Sequence, residues 1–218
     1  PEDLIPQFPV IRKATEAFNI PYVELMGYEA DDLIASYSRA AQKENMKVTI
    51  VSSDKDLMQL VSDNVSMLDT MKNKIVQKEE VYEKFGVYPE KVIDVQSLAG
   101  DSVDNIPGGP GIGIKTAALL INEYGNLDGL FKNSEKIKQK KRRENIIEFE
   151  EQAYLSKKLV TLRDDVPLPI PIQETTLKDI DANKLISFLK EMEFRTLTDK
   201  KSKELSIDSD TIEASNQV

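Results

Sequence analysis

Neither cysteine nor histidine occurs in the 218 residues, and this double absence removes several chemistries at once. There can be no disulfide framework, no thiolate nucleophile, no Ser-His-Asp triad and no ordinary Cys/His zinc site. What remains is carboxylate, hydroxyl and Lys/Arg chemistry, so any metal has to be a hard cation held by oxygen, of the magnesium or manganese kind. No apolar run approaches the ~18 residues of a membrane span, and nothing resembles a signal peptide. No internal repeat is long enough for a solenoid. The expectation is a soluble, cytoplasmic protein.

With 40% hydrophobic and 31% charged residues the composition is that of an ordinary globular protein, long enough for one large or two small domains. A net charge of −9 argues against a uniformly basic nucleic-acid coat. The charge is uneven, however. Residues 136 to 143, KIKQKKRR, hold six basic side chains in eight positions, whereas the C-terminal ELSIDSDTIEASNQV has four acids and no base. Local patches therefore decide the partner. The first residue is Pro1, which suits a processed product or an excerpt of a longer chain.

Hydrophobic periodicity predicts a helix over residues 3–18, its regular part pushed to the later turns by Pro6 and Pro9, then a strand at IPYVEL. EADDLIASYSRAAQKEN follows as an amphipathic helix and KVTIVSS as a buried strand, a strand–helix–strand unit of the doubly wound kind. DKDLMQLV reads as a short helix, VSMLDT as a further strand and NKIVQ as a small extra one, with helices near 78–85 and 90–99. After Gly100 a Gly/Pro-rich segment gives way to a helix from about Lys115 to Gly125. Only helices follow, the longest at about 143–161, besides an extended VPLPIPI and a final helix over 181–193; from about 198 the chain reads as polar and disordered.

GYEADDL places Glu29, Asp31 and Asp32 within four residues at the junction of an expected strand and helix. Like charges this close repel and raise one another's pKa, so solvent, a helix N-terminus or a cation has to offset them. In open α/β sheets the functional crevice lies beyond the carboxyl ends of the parallel strands. IVSSDKD puts Asp54 and Asp56 at that edge as well, and the spacing of Asp101 and Asp104 in GDSVDN suits one face of a helical turn. Seven such side chains around one hole would call for two divalent ions, about 3.5–4 Å apart, of the kind that clamp an in-line phosphoryl displacement. Each piece has a plainer alternative. Asp31 and Asp32 can complement a helix dipole, SSDKD can be an N-cap with solvated charges, and Asp101 and Asp104 can be turn residues.

GGPGIGIKTA offers flexible backbone followed by a helix that starts near Lys115 and Thr116. Backbone N–H groups at such a helix start, with a lysine beside them, can cradle phosphate. The glycine spacing is not that of a Walker A loop, and a tight turn between packed helices is the alternative. Such a hairpin reads phosphate rather than base, and the 136–143 run either extends this footing through counterion release or forms a solvated loop.

GYEADDLIASYSRAA, IVSSDKDLMQLV and LAGDSVDNIPGGPGIGIKTAALLINEYGNLDGL together resemble the signature segments of the 5′-3′ exonuclease (5′-nuclease) domain of bacterial DNA polymerase I, in the flap endonuclease superfamily, in order over about residues 1–195. The resemblance implies an α/β, PIN-like 5′-nuclease core with a parallel sheet, followed by an all-helical helix-hairpin-helix-type DNA-binding subdomain. It implies a Mg²⁺- or Mn²⁺-dependent, two-metal 5′-3′ deoxyribonuclease acting on 5′-flap or nicked duplex DNA in replication and repair. By matching motif, Glu29, Asp31 and Asp32 would serve one ion, and Asp54, Asp56, Asp101 and Asp104 the other. Gly108, Gly109, Gly111, Ile112, Gly113, Lys115 and Thr116 would grip duplex, with K⁺ at the hairpin carbonyls. The family domain opens with an aspartate-bearing strand and a basic arch that this reading does not find. The expectation is therefore that the N-terminal part of the domain is absent. Residues 1–100 are then the C-terminal portion of the core, 101–195 the helical DNA-binding subdomain, and 196–218 a linker or disordered tail. The implied protein is a nucleoid-associated bacterial monomer with a polymerase domain attached in the parent protein. Two alternatives stand beside it: a non-catalytic DNA-structure binding fragment, and a PIN-like ribonuclease.

Overall fold

The protein is described by a computed structural model over residues 2–214. Pro1 and residues 215–218, the end of the expected tail, lie outside the described residues. In chain order a 3₁₀ turn (Glu2–Gln7) leads into α1 (Phe8–Ala17), then α2 (Ala30–Lys43), β1 (Val48–Val51), a 3₁₀ turn (Asp56–Leu60), β2 (Val65–Asp69), β3 (Lys74–Val76), α3 (Lys78–Phe85), α4 (Val92–Ala99), α5 (Ile114–Tyr124), α6 (Leu127–Lys132), α7 (Lys140–Glu148), α8 (Glu150–Val160), α9 (Ala182–Glu191) and α10 (Arg195–Glu204). The chain divides into the unit Gly27–Leu168 and a second unit built from the segments on either side of it.

In the unit Gly27–Leu168, β1 pairs in parallel with β2, setting Ile50 opposite Met67, and β2 pairs antiparallel with β3, setting Met67 opposite Val76. The sheet is thus mixed, where the sequence led to the expectation of a parallel one. β2 alternates strictly, burying Val65, Met67 and Asp69 on one face. The buried Asp69 carboxylate accepts from the N–H groups of Met71 and Lys72, which turns the chain tightly enough for β3 to return beside β2. Val81, Phe85, Val92, Val95 and Leu98, on α3 and α4 and the turn between them, continue the same core, and Leu120, Ile121, Leu127, Leu130 and Ile146 extend it through the helical region. An α/β core followed by a helical region is the 5′-nuclease-like architecture implied by the sequence motifs.

Local signals set the helix ends. Asp31 and Asp32 lie in the first turn of α2 and Lys43 in its last, both favourable to the helix dipole. Glu80 accepts from the Gln77 N–H at the start of α3, and Gly86 (φ 72°) ends that helix in the left-handed region. The long helix expected near 143–161 is two helices, α7 and α8, joined at Phe149. That ring is buried in the core.

Within the second unit, α1 and α9 meet around Ala17, Leu185, Ile186, Phe188 and Leu189. Two expectations differ here. Residues 20–25, read as a strand, have no regular structure. Pro21 has no N–H to give a ladder, and among the described residues no strand pairs with the segment. Its side chains instead bond to α1, Tyr22 donating to Glu16 at 2.9 Å and Arg12 donating to Glu24. The polar stretch after residue 195, read as disordered, folds as α10. Leu197, Leu205, Ile207 and Ile212 supply enough apolar contact to pack on this core, and the buried Thr198 and Ser202 hydroxyls bond back to carbonyls one turn earlier. Among the described residues no helix is long and apolar enough to cross a membrane.

Leu98 is fully buried at the end of α4, next to the acidic loop described below. Leu98→Ala is expected to cost about 2–5 kcal/mol of stability through lost transfer energy and a residual cavity. Urea unfolding measures this as a lower midpoint at unchanged slope.

Candidate metal centre

The end of α4 sets the geometry of the site. Gly100, at φ 70° and ψ 179°, adopts a backbone that stops the helix and that a residue with a Cβ rarely tolerates. Asp101 and Ile106 then exchange two backbone hydrogen bonds, at 2.8 and 2.7 Å, and close a loop with Asp104 at its exposed tip. The spacing of Asp101 and Asp104 was read as a helical turn; it is this bridged loop instead, because the bridge uses the N–H groups that a helix would need elsewhere. Its return strand lies hard against α4. A Cβ on Gly108 would sit 2.1 Å from the Ala99 carbonyl oxygen, and the Gly109 N–H donates to Leu98 O at 2.8 Å.

Asp56, Asp101 and Asp104 each bring a carboxylate oxygen within 4.8 Å of the others. Asp56 comes from the 3₁₀ turn after β1, and Asp54, just before it, accepts from the Asp56 N–H at 2.9 Å. Desolvation, together with the charges of Asp54, Asp101 and Asp104, pushes the Asp56 carboxyl above its ordinary value, against a hydrogen bond from Gln96. Asp31 is raised too, first by desolvation and then by Asp54, Asp56, Glu29 and Asp32. The field of the cluster therefore reaches the first turn of α2. Glu29 stands at the N-cap of α2, its carbonyl accepting from Leu33. Asp32 accepts from the Arg163 N–H at 2.9 Å through Oδ1, while the Arg163 guanidinium lies 5.1 Å from the Tyr28 ring centre.

Two further residues belong to this edge. The Lys55 ammonium forms an ion pair with Asp101, whose side chain is only 3% exposed. Desolvation alone would raise the Asp101 carboxyl, but the Lys55 hydrogen bond and charge, with the N–H groups of Val103 and Asp104, hold it below 3.8. Gln96 on α4 donates to Asp56 Oδ1 at 2.5 Å, and its own Oε1 is buried with no hydrogen-bond partner. Lys55 sits between Asp54 and Asp56 in the DKD motif, but a lysine is not a metal ligand, so the motif alone gives it no role. Gln96 carries no sequence signal, since its place at the cluster follows only from how α4 packs beneath the sheet edge.

Of the glycine-rich hairpin, Gly109 and Ile112 are buried, and Phe149 lies close to Gly109. Gly108, Gly111, Gly113 and Lys115 are exposed and Thr116 is half-buried. Gly113 caps α5 without a side-chain hydrogen bond, which leaves first-turn N–H groups of α5 open.

Residues 1–86 match the 5′-3′ exonuclease N-terminal resolvase-like domain, and residues 87–183 match the 5′-3′ exonuclease C-terminal SAM fold. The first of these matches corrects the expectation that the N-terminal part of the domain is absent: GYEADDL, β1, β2 and α3 all fall within it. The chain is 55% identical over 213 residues to the DNA polymerase I of Rhizobium leguminosarum, covering 98% of this chain and 21% of that protein. It is 41% identical over 197 residues to the 5′-3′ exonuclease of Aquifex aeolicus, covering 90% of this chain and 67% of that protein. The chain thus spans about a fifth of the polymerase relative and two thirds of the exonuclease. A structure of T5 5′-exonuclease with bound divalent zinc superposes with a TM-score of 0.66 at 25% identity, over 94% of this chain and 70% of that one. The catalytic core of Rad2 with a DNA substrate shares the fold, at TM-score 0.61 and 18% identity, over 95% of this chain and 71% of that one.

Lys55→Met should lower stability by about 1–3 kcal/mol near neutral pH, because it strands a buried charge while the lysine end of the pair is partly screened. Asp101 is depressed below 3.8, so the stability it lends is full above that value and is lost as pH falls through its folded pKa. The gap between parent and variant should therefore close below about pH 4. Urea unfolding in EDTA across this range measures it, and a gap that stays constant would remove the ion pair as its cause.

Proposed function

Because this chain belongs to the 5′-3′ exonuclease family, we propose that it hydrolyses phosphodiester bonds in DNA, removing 5′ flaps and 5′-terminal nucleotides with the help of divalent cations. The observation that carries the reading is the convergence of Asp56, Asp101 and Asp104 on one point at the sheet edge. Their donors suit a hard divalent ion. All are carboxylate oxygens, one is already charge-paired with Lys55, and the buried Gln96 Oε1 lacks a partner that a bound water could provide. Zinc in the T5 relative supports a divalent occupant, and in this reading two Mg²⁺ or Mn²⁺ ions are used. Asp56, Asp101 and Asp104 hold one, with Asp54 beside them, while Asp31 and the more peripheral Glu29 and Asp32 serve the other. Bound there, such ions supply an activated water and a counter-charge for the leaving oxygen.

The chain's own groups do the positioning. Gln96 holds one Asp56 oxygen and so fixes that carboxylate, and the Gly100/Gly108 contact keeps the Asp101–Ile106 loop from drifting. The open N–H groups at the start of α5, with Lys115 exposed beside them, suit a phosphate of the downstream duplex. Gly111, Gly113 and Thr116 shape that surface, whereas Gly108, Gly109 and Ile112 support it from behind. K⁺ at the hairpin carbonyls rests on the family resemblance alone. Likeness over nearly the whole chain to a DNA polymerase I supports a parent protein that also carries a polymerase domain; in this reading the protein works as a monomer.

A labelled 5′-flap duplex tests the reading. Cleavage should require Mg²⁺ or Mn²⁺, stop in EDTA, and fall more than about 100-fold in Asp56→Asn and in Asp104→Asn, since even outer partners of a metal matter on that scale. Activity that survives EDTA, or is undiminished in both variants, would sink it. Tight flap binding without cleavage at any Mg²⁺ concentration would establish the non-catalytic alternative. In the same assay Gly108→Ala should slow cleavage and lower the unfolding midpoint together, because its Cβ collides with backbone rather than with a mobile side chain.

A further inference from the structure

The basic run at 136–143 resolves into members with partners and members without. Lys136 donates to Asn133 Oδ1 at 2.8 Å, Lys140 lies 3.8 Å from Glu144, and Arg143 is bonded to the Ile137 carbonyl and lies 3.9 Å from Glu135. Lys138, Lys141 and Arg142 have no ion pair or side-chain hydrogen bond among the described residues. Lys138 and Lys141 are exposed and Arg142 half-exposed. Two of these free cations occupy the first turn of α7, where the helix dipole disfavours positive charge. Placed there without partners, Lys141 and Arg142 meet the helix dipole unfavourably, and no ion pair among the described residues offsets it.

Their position is fixed relative to the hairpin. Asn145 of α7 donates to the Pro110 carbonyl in the hairpin turn at 2.9 Å, and Phe149 at the end of α7 lies close to Gly109. Lys141 and Arg142 precede Asn145 by four and three residues, so they lie on the same side of α7 as the residue that holds the hairpin. One helical turn, ~5.4 Å, separates them from that contact. The hairpin, Lys141 and Arg142 therefore form one continuous surface, and Lys138 lies two residues before α7 begins.

We propose that Lys138, Lys141 and Arg142 form a second, sequence-independent contact with the phosphate backbone of duplex DNA, continuous with the hairpin; this rests on the DNA reading above. The occupant is polyanionic because the patch offers three unpaired cations. It is backbone rather than base because long side chains at a helix end present charge without a fixed hydrogen-bonding edge. Duplex rather than single strand follows from the patch's attachment to the hairpin instead of to the acidic edge, and aromatic stacking platforms of the single-strand kind are missing from the run.

Fluorescence anisotropy of a labelled duplex in EDTA, over a series of salt concentrations, tests this. The proteins compared are the parent, Lys138→Ala/Lys141→Ala/Arg142→Ala, and Lys115→Ala. The triple variant should flatten the slope of log affinity against log salt by about 2–3, as expected for three lost phosphate contacts, and weaken binding by about one to two orders of magnitude. The loss should be equal on duplexes of unrelated sequence, at an unfolding midpoint no lower than the parent's. The single variants Lys138→Gln and Arg142→Gln should each lower the slope by about one, so the outcome does not hang on the triple variant folding. An unchanged slope in the triple variant, with Lys115→Ala still weakening binding, overturns the patch and leaves the DNA reading standing. A parent protein that binds no duplex overturns both, and a loss confined to single-stranded DNA overturns the duplex assignment.

Discussion

Repulsion among carboxylates at the end of β1 is the constraint around which this structure is organised. Asp56, Asp101 and Asp104 come within 4.8 Å of one another, and Asp31 and Asp54 add to the same field. No chain gathers such charges without something to offset them. Here part of the offset is internal: Lys55 neutralises Asp101 and Gln96 donates to Asp56. Desolvation first, and then the neighbouring carboxylates, leave the Asp31 and Asp56 carboxyls raised, and a divalent ion would offset the charge part of that cost.

Holding the acids in place is a backbone task. Gly100 ends α4 in a conformation open to glycine, the Asp101–Ile106 bridge closes the loop, and the near contact of Gly108 with Ala99 fastens it. The same segment then runs straight into the hairpin and α5. Acidic edge and glycine-rich hairpin are therefore successive stretches of one chain, anchored on the core residue Leu98 and its neighbours. In the proposed reading, a duplex gripped at the hairpin would be set at a defined distance from the acidic edge, so that a site without base-reading side chains could select a position along DNA.

Several local features follow directly from residue type. The α2 pattern, the Gly86 stop after α3 and the β-branched run of β1 are set by short-range physics, and the sequence pattern is enough to see them. Segments whose state depends on a partner behave otherwise. IPYVEL has strand-like composition, but a strand exists only as half of a ladder, and no partner lies beside it among the described residues. α10 has helix-compatible but polar composition, and what stabilises it is a handful of apolar side chains that find the Leu185–Leu189 core. The break at Phe149 likewise records where a ring is buried, not a helix-breaking residue.

By itself, then, the sequence determined which chemistry is possible. Without cysteine or histidine, oxygen donors and cations are what the chain can use, and the motifs that hold them identify the 5′-3′ exonuclease family. Only the tertiary structure decided which acids meet. Asp32, adjacent to Asp31, takes a hydrogen bond from the Arg163 backbone, while Asp101 and Asp104 arrive from some fifty residues downstream of Asp54 and Asp56. It also decided that Lys55 and Gln96 serve the cluster, and that three cations of the basic run stand free beside the hairpin while the rest are paired. Residue type fixes what a side chain can do; the packing of α4, the bridged loop and α7 fixes what it is near, and distance sets the strength of every charge interaction in the site.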